Sequence, residues 1–125
     1  MRVLVTGGGG FLGSAICRQL RARGDDVIAF QRSAATGLES LGIRVVRGDI
    51  NDGELLTAAT QGADAVIHTA AKAGLSVNFA DFYSANVSGT QSVLQACHAN
   101  GIRKLVFTSS PSVVHDDGDI EGGDE

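Results

Sequence analysis

The chain has 125 residues, 43% of them hydrophobic and 19% charged, which is the balance of one small globular domain and excludes a disordered chain. Its formal net charge of −4 lacks the basic excess of a nucleic-acid surface. No apolar run is long enough for a membrane-spanning helix, so neither nucleic acid nor a membrane span is expected, and the default location is the cytoplasm.

The first element is a short strand, Arg2–Thr6, built on Val3, Leu4 and Val5. Four glycines follow, and a helix is predicted over 11–23, with Leu12, Ile16 and Leu20 on one face and Gly24 as its stop. The spacing Gly7-x-x-Gly10-x-x-Gly13 has a mechanical reading. One glycine permits the tight strand-to-helix turn, one lets a pyrophosphate approach the backbone, and one lets the helix pack closely on the strand. The free N–H groups and the positive dipole end of the helix then face the phosphates. No Gly-Lys-Ser/Thr follows, so this is not the loop of a nucleoside-triphosphatase.

A second strand is predicted at 27–30, a short helix at 36–41 and a third strand at 43–47. Asn51 or Asp52 caps a helix running to about Gln61, Ala65–His68 forms a fourth strand, and a loop of small residues covers 70–78. One long helix is predicted over 79–100, apolar at Phe79, Phe82, Val93 and Cys97, with Gly101 past its end. Strand five is predicted at 104–108. Short apolar strands alternating with helices predict a parallel sheet covered on both faces, and right-handed crossovers give the doubly wound Rossmann-type order 3-2-1-4-5. Cys17 and Cys97 lack metal-ligand spacing and read as reduced, packed thiols, and no metal site is expected. Residues 115–125 hold six acids and three glycines and read as a solvated loop or tail.

Ligands of such sheets bind at the carboxyl ends of the strands. The end of strand two reads Phe30-Gln31-Arg32-Ser33, without the acid that usually bonds the ribose 2′-hydroxyl of NAD, while Asp25 and Asp26 lie at the strand's other end. Arg32 and Ser33 suit a 2′-phosphate, which favours NADP over NAD, although Arg32 also reads as an ordinary loop arginine. After strand three, Asp49 could accept from an adenine amino group while Ile50 packs on the ring, and capping of the next helix explains Asp49 equally well. Ala70 and Ala71 leave room for ribose and nicotinamide. His68 reads as a satisfied core histidine and Lys72 as an exposed lysine within reach of a cofactor. Ser109 and Ser110, after Thr108, could bond a carbonyl undergoing reduction or form a turn with Pro111.

Taken in order, Thr6-Gly7-Gly8-Gly9-Gly10-Phe11-Leu12-Gly13, Gly48-Asp49-Ile50, His68-Thr69-Ala70-Ala71, Asn86-Val87-Ser88-Gly89-Thr90 and Phe107-Thr108-Ser109-Ser110 resemble the extended short-chain dehydrogenase/reductases, the epimerase/dehydratase superfamily. Ala70-Ala71-Lys72-Ala73-Gly74 and the stretch from Thr108 to Val114 resemble its 3β-hydroxysteroid dehydrogenase-type branch, with its sterol-4α-carboxylate 3-dehydrogenases and 2-alkyl-3-oxoalkanoate reductases.

The resemblance implies an NAD(P)-dependent oxidoreductase acting on a 3-keto or 3-hydroxy group of a bulky apolar substrate, and a homodimer for the full-length protein. It implies that Gly7, Gly10 and Gly13 hold the pyrophosphate, that Asp49 and Ile50 contact adenine, and that Ala70 and Ala71 line the ribose and nicotinamide. Phe11, Leu12, Arg32, Ser33, Lys72, Asn86 and Thr108 complete the candidate cofactor-binding residues. Asn86 supports the active site, and Ser110, with Ser109 as the alternate, orients the substrate. The family's Tyr-x-x-x-Lys pair is missing, because the single tyrosine, Tyr83, has Val87 at the fourth following position, and His115 replaces a usual aromatic residue. The chain is therefore expected to be an inactive amino-terminal portion, residues 1–125 of an incomplete Rossmann domain, with its long helix and fifth strand left uncovered and prone to association. An epimerase or dehydratase, or a non-catalytic dinucleotide sensor, shares the same glycine turn and stands as the alternative.

Overall fold

The computed structural model describes residues 1–34, 36–74 and 78–110. Five parallel strands, β1 (Arg2–Thr6), β2 (Asp26–Gln31), β3 (Arg44–Arg47), β4 (Ala65–His68) and β5 (Lys104–Phe107), form one sheet in the order β3-β2-β1-β4-β5. This is the doubly wound Rossmann-type order expected from the sequence. The acidic stretch 115–125 lies outside the described residues.

Alternation along the strands sorts the core onto two faces. Val3, Val5, Val27 and Ala29 pack with Cys17, Leu38 and Ile43 beneath α1 (Phe11–Ala22) and α2 (Thr36–Glu39). Leu4, Ile28, Phe30 and Val66 pack with Leu56, Val93, Ala96 and Cys97 beneath α3 (Gly53–Thr60) and α5 (Gly89–Ala99). Each face removes its aliphatic side chains from water at roughly 25 cal/mol per Å². Both cysteines are buried free thiols, and burial pushes the Cys17 thiol up to about 11. Asp25 is structural: Arg23 and the terminal ammonium of Met1 both pair with it and lower its pKa, Arg23 having the larger effect.

Two helices depart from their predicted form. On α1 the buried positions are Gly13 and Cys17, with Ile16 and Leu20 half-buried at their flanks, while Leu12 is exposed. The helix is rolled toward its small residues because they permit the closest approach to the strands. The predicted helix 79–100 is α4 (Phe79–Phe82), a π-helical turn (Tyr83–Ser88) and α5 in succession. The Gly89 N–H bonds the Ser84 carbonyl five residues back. The Thr90 and Ser92 hydroxyls donate to the carbonyls of Asn86 and Ser88, back-bonding of the kind that bends helices. Val93 and Cys97 face the core as predicted, but Phe79 is 79% exposed.

Asp52 is the cap of α3, its carboxylate accepting from the Leu55 N–H at 3.1 Å. That settles the choice left open between Asn51 and Asp52, and it frees Asp49 from the capping role.

Candidate functional site

The register aligns the strand ends at one edge. Val46, Phe30, Thr6, His68 and Phe107 form a row across the sheet. Beyond this row the chain leaves β1, β2, β3 and β4 in four separate turns, and the space among them is a cleft of about 650 Å³.

On the β1 side the cleft is lined by Gly7 and Gly10. Gly7 has φ +70°, a conformation that favours glycine, and any Cβ there would stand 2.9 Å from the Ala70 backbone. A Cβ on Gly13 would overlap the Gly7 carbonyl, so this glycine is what lets α1 follow the turn so closely. Gly10, by contrast, has only the Gly7 carbonyl near its missing Cβ, at 3.3 Å, and otherwise faces open space. It is the N-cap of α1, and the first turn of that helix carries no acid. Helix N–H groups, the positive dipole end and a first turn without a carboxylate are thus presented together. Phe11 and Leu12 contribute backbone to this turn, and their side chains are exposed. Gly8, outside the Gly7-x-x-Gly10-x-x-Gly13 spacing, is also a packing glycine: a Cβ there would stand 2.6 Å from Ala29 Cβ.

On the β2 and β3 side, Gln31, Arg32, Ser33, Asp49 and Ile50 line the cleft, as the sequence led us to expect for all but Gln31. Gln31 is 7% exposed, and its Nε2 donates to the Ser33 carbonyl at 2.6 Å. Its Oε1 is buried beside Gly9 and has no hydrogen-bond partner among the described residues. Asp49 accepts from the Asn51 N–H at 2.9 Å. The Asn51 amide reaches across to the carbonyl and hydroxyl of Ser84 at 3.0 and 3.1 Å, bringing the π turn to the cleft wall. Asn51 and Ser84 carried no motif, because their relation exists only once α3 and the π turn are packed together.

On the β4 side, Ala70, Ala71 and Lys72 line the cleft. The Asn86 amide clasps this loop from the π turn, accepting from the Lys72 N–H at 2.8 Å and donating to its carbonyl at 3.0 Å. The Lys72 ammonium pairs with Asp81 at 3.2 Å and lies over the Phe82 ring, so it is already engaged on the surface. His68 is 2% exposed, with ring nitrogens 2.6 Å from Thr6 Oγ1 and 3.0 Å from Thr90 Oγ1. It is the satisfied core histidine that was expected, and burial lowers its pKa.

Thr108 joins the sheet edge through its N–H to the His68 carbonyl. Ser109 and Ser110 follow it, both exposed, and neither lines the cleft. Among the described residues no group of histidine, cysteine, aspartate and glutamate side chains could hold a metal ion. No helix of the described residues is long and apolar enough to cross a membrane.

Residues 4–125 match the 3-beta hydroxysteroid dehydrogenase/isomerase family. The chain belongs to that family. It is 50% identical over 115 residues to a 2-alkyl-3-oxoalkanoate reductase of Stenotrophomonas maltophilia (strain K279a), covering 92% of this chain and 35% of that protein. It is 37% identical over 124 residues to the human decarboxylating sterol-4-alpha-carboxylate 3-dehydrogenase, covering 99% of this chain and 33% of the relative. Among solved structures it resembles a UDP-glucose-4-epimerase, also from Stenotrophomonas, with bound NAD and formylated UDP-arabinopyranose. There the TM-score is 0.85 at 32% identity, covering 94% of this chain and 40% of the other. This family member therefore spans about a third of the length of the curated relatives it matches.

Proposed function

We propose that this chain is the dinucleotide-holding part of an NAD(P)-dependent oxidoreductase, and that the whole enzyme interconverts a keto and a hydroxy group on a bulky apolar substrate, sterol-like or an alkyl-3-oxo acid. The observation that carries this reading is the cleft at the amino end of α1, open at Gly10 and free of acids in the helix's first turn. The residues fit a dinucleotide in one further way: Gln31 Oε1, without a hydrogen-bond partner among the described residues, is an acceptor for the adenosine-ribose 3′-hydroxyl, which NAD and NADP share.

When bound, the nicotinamide exchanges hydride with the substrate carbon. The chain's own residues bind and orient. The N–H groups at the start of α1 hold the pyrophosphate, those of Gly7 and Gly10 being donated to the Phe30 and Gly7 carbonyls, while Asp49 and Ile50 hold adenine and Ala70 and Ala71 leave space for ribose and nicotinamide. Asn86 fixes the Lys72 backbone, and Ser110, with Ser109 as its alternate, orients the substrate carbonyl beyond Thr108. A Tyr-x-x-x-Lys pair is absent from residues 1–125, so the proton donor must come from elsewhere and these residues alone should not turn over. The whole enzyme is proposed to be a homodimer.

NADP is proposed over NAD. A neutral Gln31 stands where an acid would repel a 2′-phosphate, and Arg32 and Ser33 flank it on the cleft wall. Titrating the chain with NADPH and NADH tests the proposal. NADPH should bind more tightly, and Arg32→Ala should weaken NADPH by about tenfold, roughly 1.4 kcal/mol, with little change for NADH. Equal affinities would remove Arg32 from the site, and failure to bind either nucleotide would remove the dinucleotide reading. An epimerase reading draws on the solved neighbour, but the higher identity to a reductase favours redox chemistry on a keto substrate.

A further inference from the structure

The buried imidazole of His68 lies on the row of strand ends beside the cleft, and the proposed chemistry gives it no task. Its surroundings fix where its proton sits. Thr6 Oγ1 lies 2.6 Å from His68 Nδ1, and its other two partners, the N–H groups of Thr69 and Ala70 at 3.2 Å each, can only donate. The proton of this buried hydroxyl therefore has Nδ1 as its acceptor, and Nδ1 is bare. The neutral ring then carries its proton on Nε2, which donates to Thr90 Oγ1 at 3.0 Å. Thr90 in turn donates to the Asn86 carbonyl at 2.7 Å.

The result is one directed chain of hydrogen bonds from the backbone of residues 69–70, through Thr6, His68 and Thr90, to the π turn. Its far end is the backbone carbonyl of Asn86, the residue whose side-chain amide clasps Lys72. The stretch 69–72, which includes the small residues lining the cleft, is thus gripped from both sides, and His68 is the link between the grips.

We infer that His68 is a positioning residue of the dinucleotide site: neutral, with its proton on Nε2, it holds the loop after β4 in register with the π turn that carries Asn86. Its importance for binding rests on the dinucleotide reading above. The groups that meet the ring are the Thr6 hydroxyl from β1, the Thr90 hydroxyl from α5 and the Phe107 ring from β5 at 5.7 Å, all uncharged. A proton added at Nδ1 would point at a hydroxyl whose own proton has no other acceptor among the described residues, so the network opposes the imidazolium.

Two measurements test this. Ring-nitrogen NMR of the histidine-labelled chain should show His68 neutral with Nε2 protonated from about pH 8 to about pH 6, where an ordinary histidine is well into its titration. A ring that titrates near 6.5, or carries its proton on Nδ1, overturns the inference. Second, Thr90→Val should weaken NADPH binding about tenfold and leave adenosine 2′,5′-bisphosphate, which lacks the nicotinamide half, unchanged, with Thr90→Ser restoring NADPH. Parallel loss of both ligands would mean a merely structural role and overturns it, as does unchanged NADPH affinity. If the unaltered chain binds neither ligand, the dinucleotide reading falls and takes the positioning role with it. Normal binding that ignores Thr90→Val removes the role of His68 alone.

Discussion

A methyl group added at Gly13 would overlap the carbonyl of Gly7, whereas the same group at Gly10 would have only that oxygen near it, at 3.3 Å, and would project into the cleft. One motif therefore separates into a residue that holds the fold and a residue that leaves room for a ligand. Gly13→Ala should destabilise the chain by about 1–3 kcal/mol, the usual cost of overpacking. Gly10→Ala should cost less than about 1 kcal/mol, as a poorer helix cap, yet weaken dinucleotide binding about tenfold. Thermal melts and NADPH titrations of the two variants check both halves. A Gly10→Ala chain that binds normally would place the phosphates elsewhere. The Gln31 amide carries a similar lesson, since its nitrogen is held by the Ser33 carbonyl and its buried oxygen has no partner among the described residues.

Among the elements, the π turn Tyr83–Ser88 does the most to shape the cleft. It carries Ser84 to Asn51 and Asn86 to Lys72, two contacts that close opposite walls of the same space. A regular α-helix through these positions would present the side chains with a different rotation, which gives the π turn a positional role of the kind often seen at functional sites. Asn86→Ala leaves the Lys72 N–H and carbonyl without their partner. The expected cost is about 1–3 kcal/mol, together with faster hydrogen exchange at the Lys72 amide. Exchange at Lys72 that stays at the unaltered rate would show that the clasp does not hold the loop.

For the molecule as a whole, the two sheet edges are treated differently. β3 is flanked by Arg44 and Arg47, charges that discourage another strand from pairing there. Among the described residues β5 pairs only with β4, and it exposes Val106 and Phe107 at 59% and 55%. Tyr83, Val87 and Leu94 are exposed as well, along the helical run beginning at Phe79. Apolar surface of this kind on an open edge drives association. Residues 1–125 should therefore sediment as dimers or larger species whose population rises with concentration, and Phe107→Lys should shift them toward monomer. A monodisperse monomer of the unaltered chain counts against this.

Local pattern was enough to read most of the frame. Short apolar runs alternating with helical periods, punctuated by glycines such as Gly24 and Gly101, announce βαβ units, and the handedness of their connections leaves few strand orders to choose from. The turn from Gly7 to Gly13 was legible for the same reason: its meaning lies in spacing along the chain. That Asp49, Ile50, Ala70 and Ala71 line the cleft was legible because they follow strands at the carboxyl edge of such sheets. Four features were decided only by tertiary structure. They are the roll of α1 onto Gly13 and Cys17, the π turn, the crossing of Asn51 to Ser84, and the chain from Thr6 through His68 to Thr90. The hydrogen-bonded links among these join residues 22 to 64 positions apart. Sequence periodicity records which face of an element is apolar. It carries no record of which polar groups will meet once those faces are packed, and at this cleft those meetings set the position of the loop, the tautomer of the histidine and the room left for a ligand.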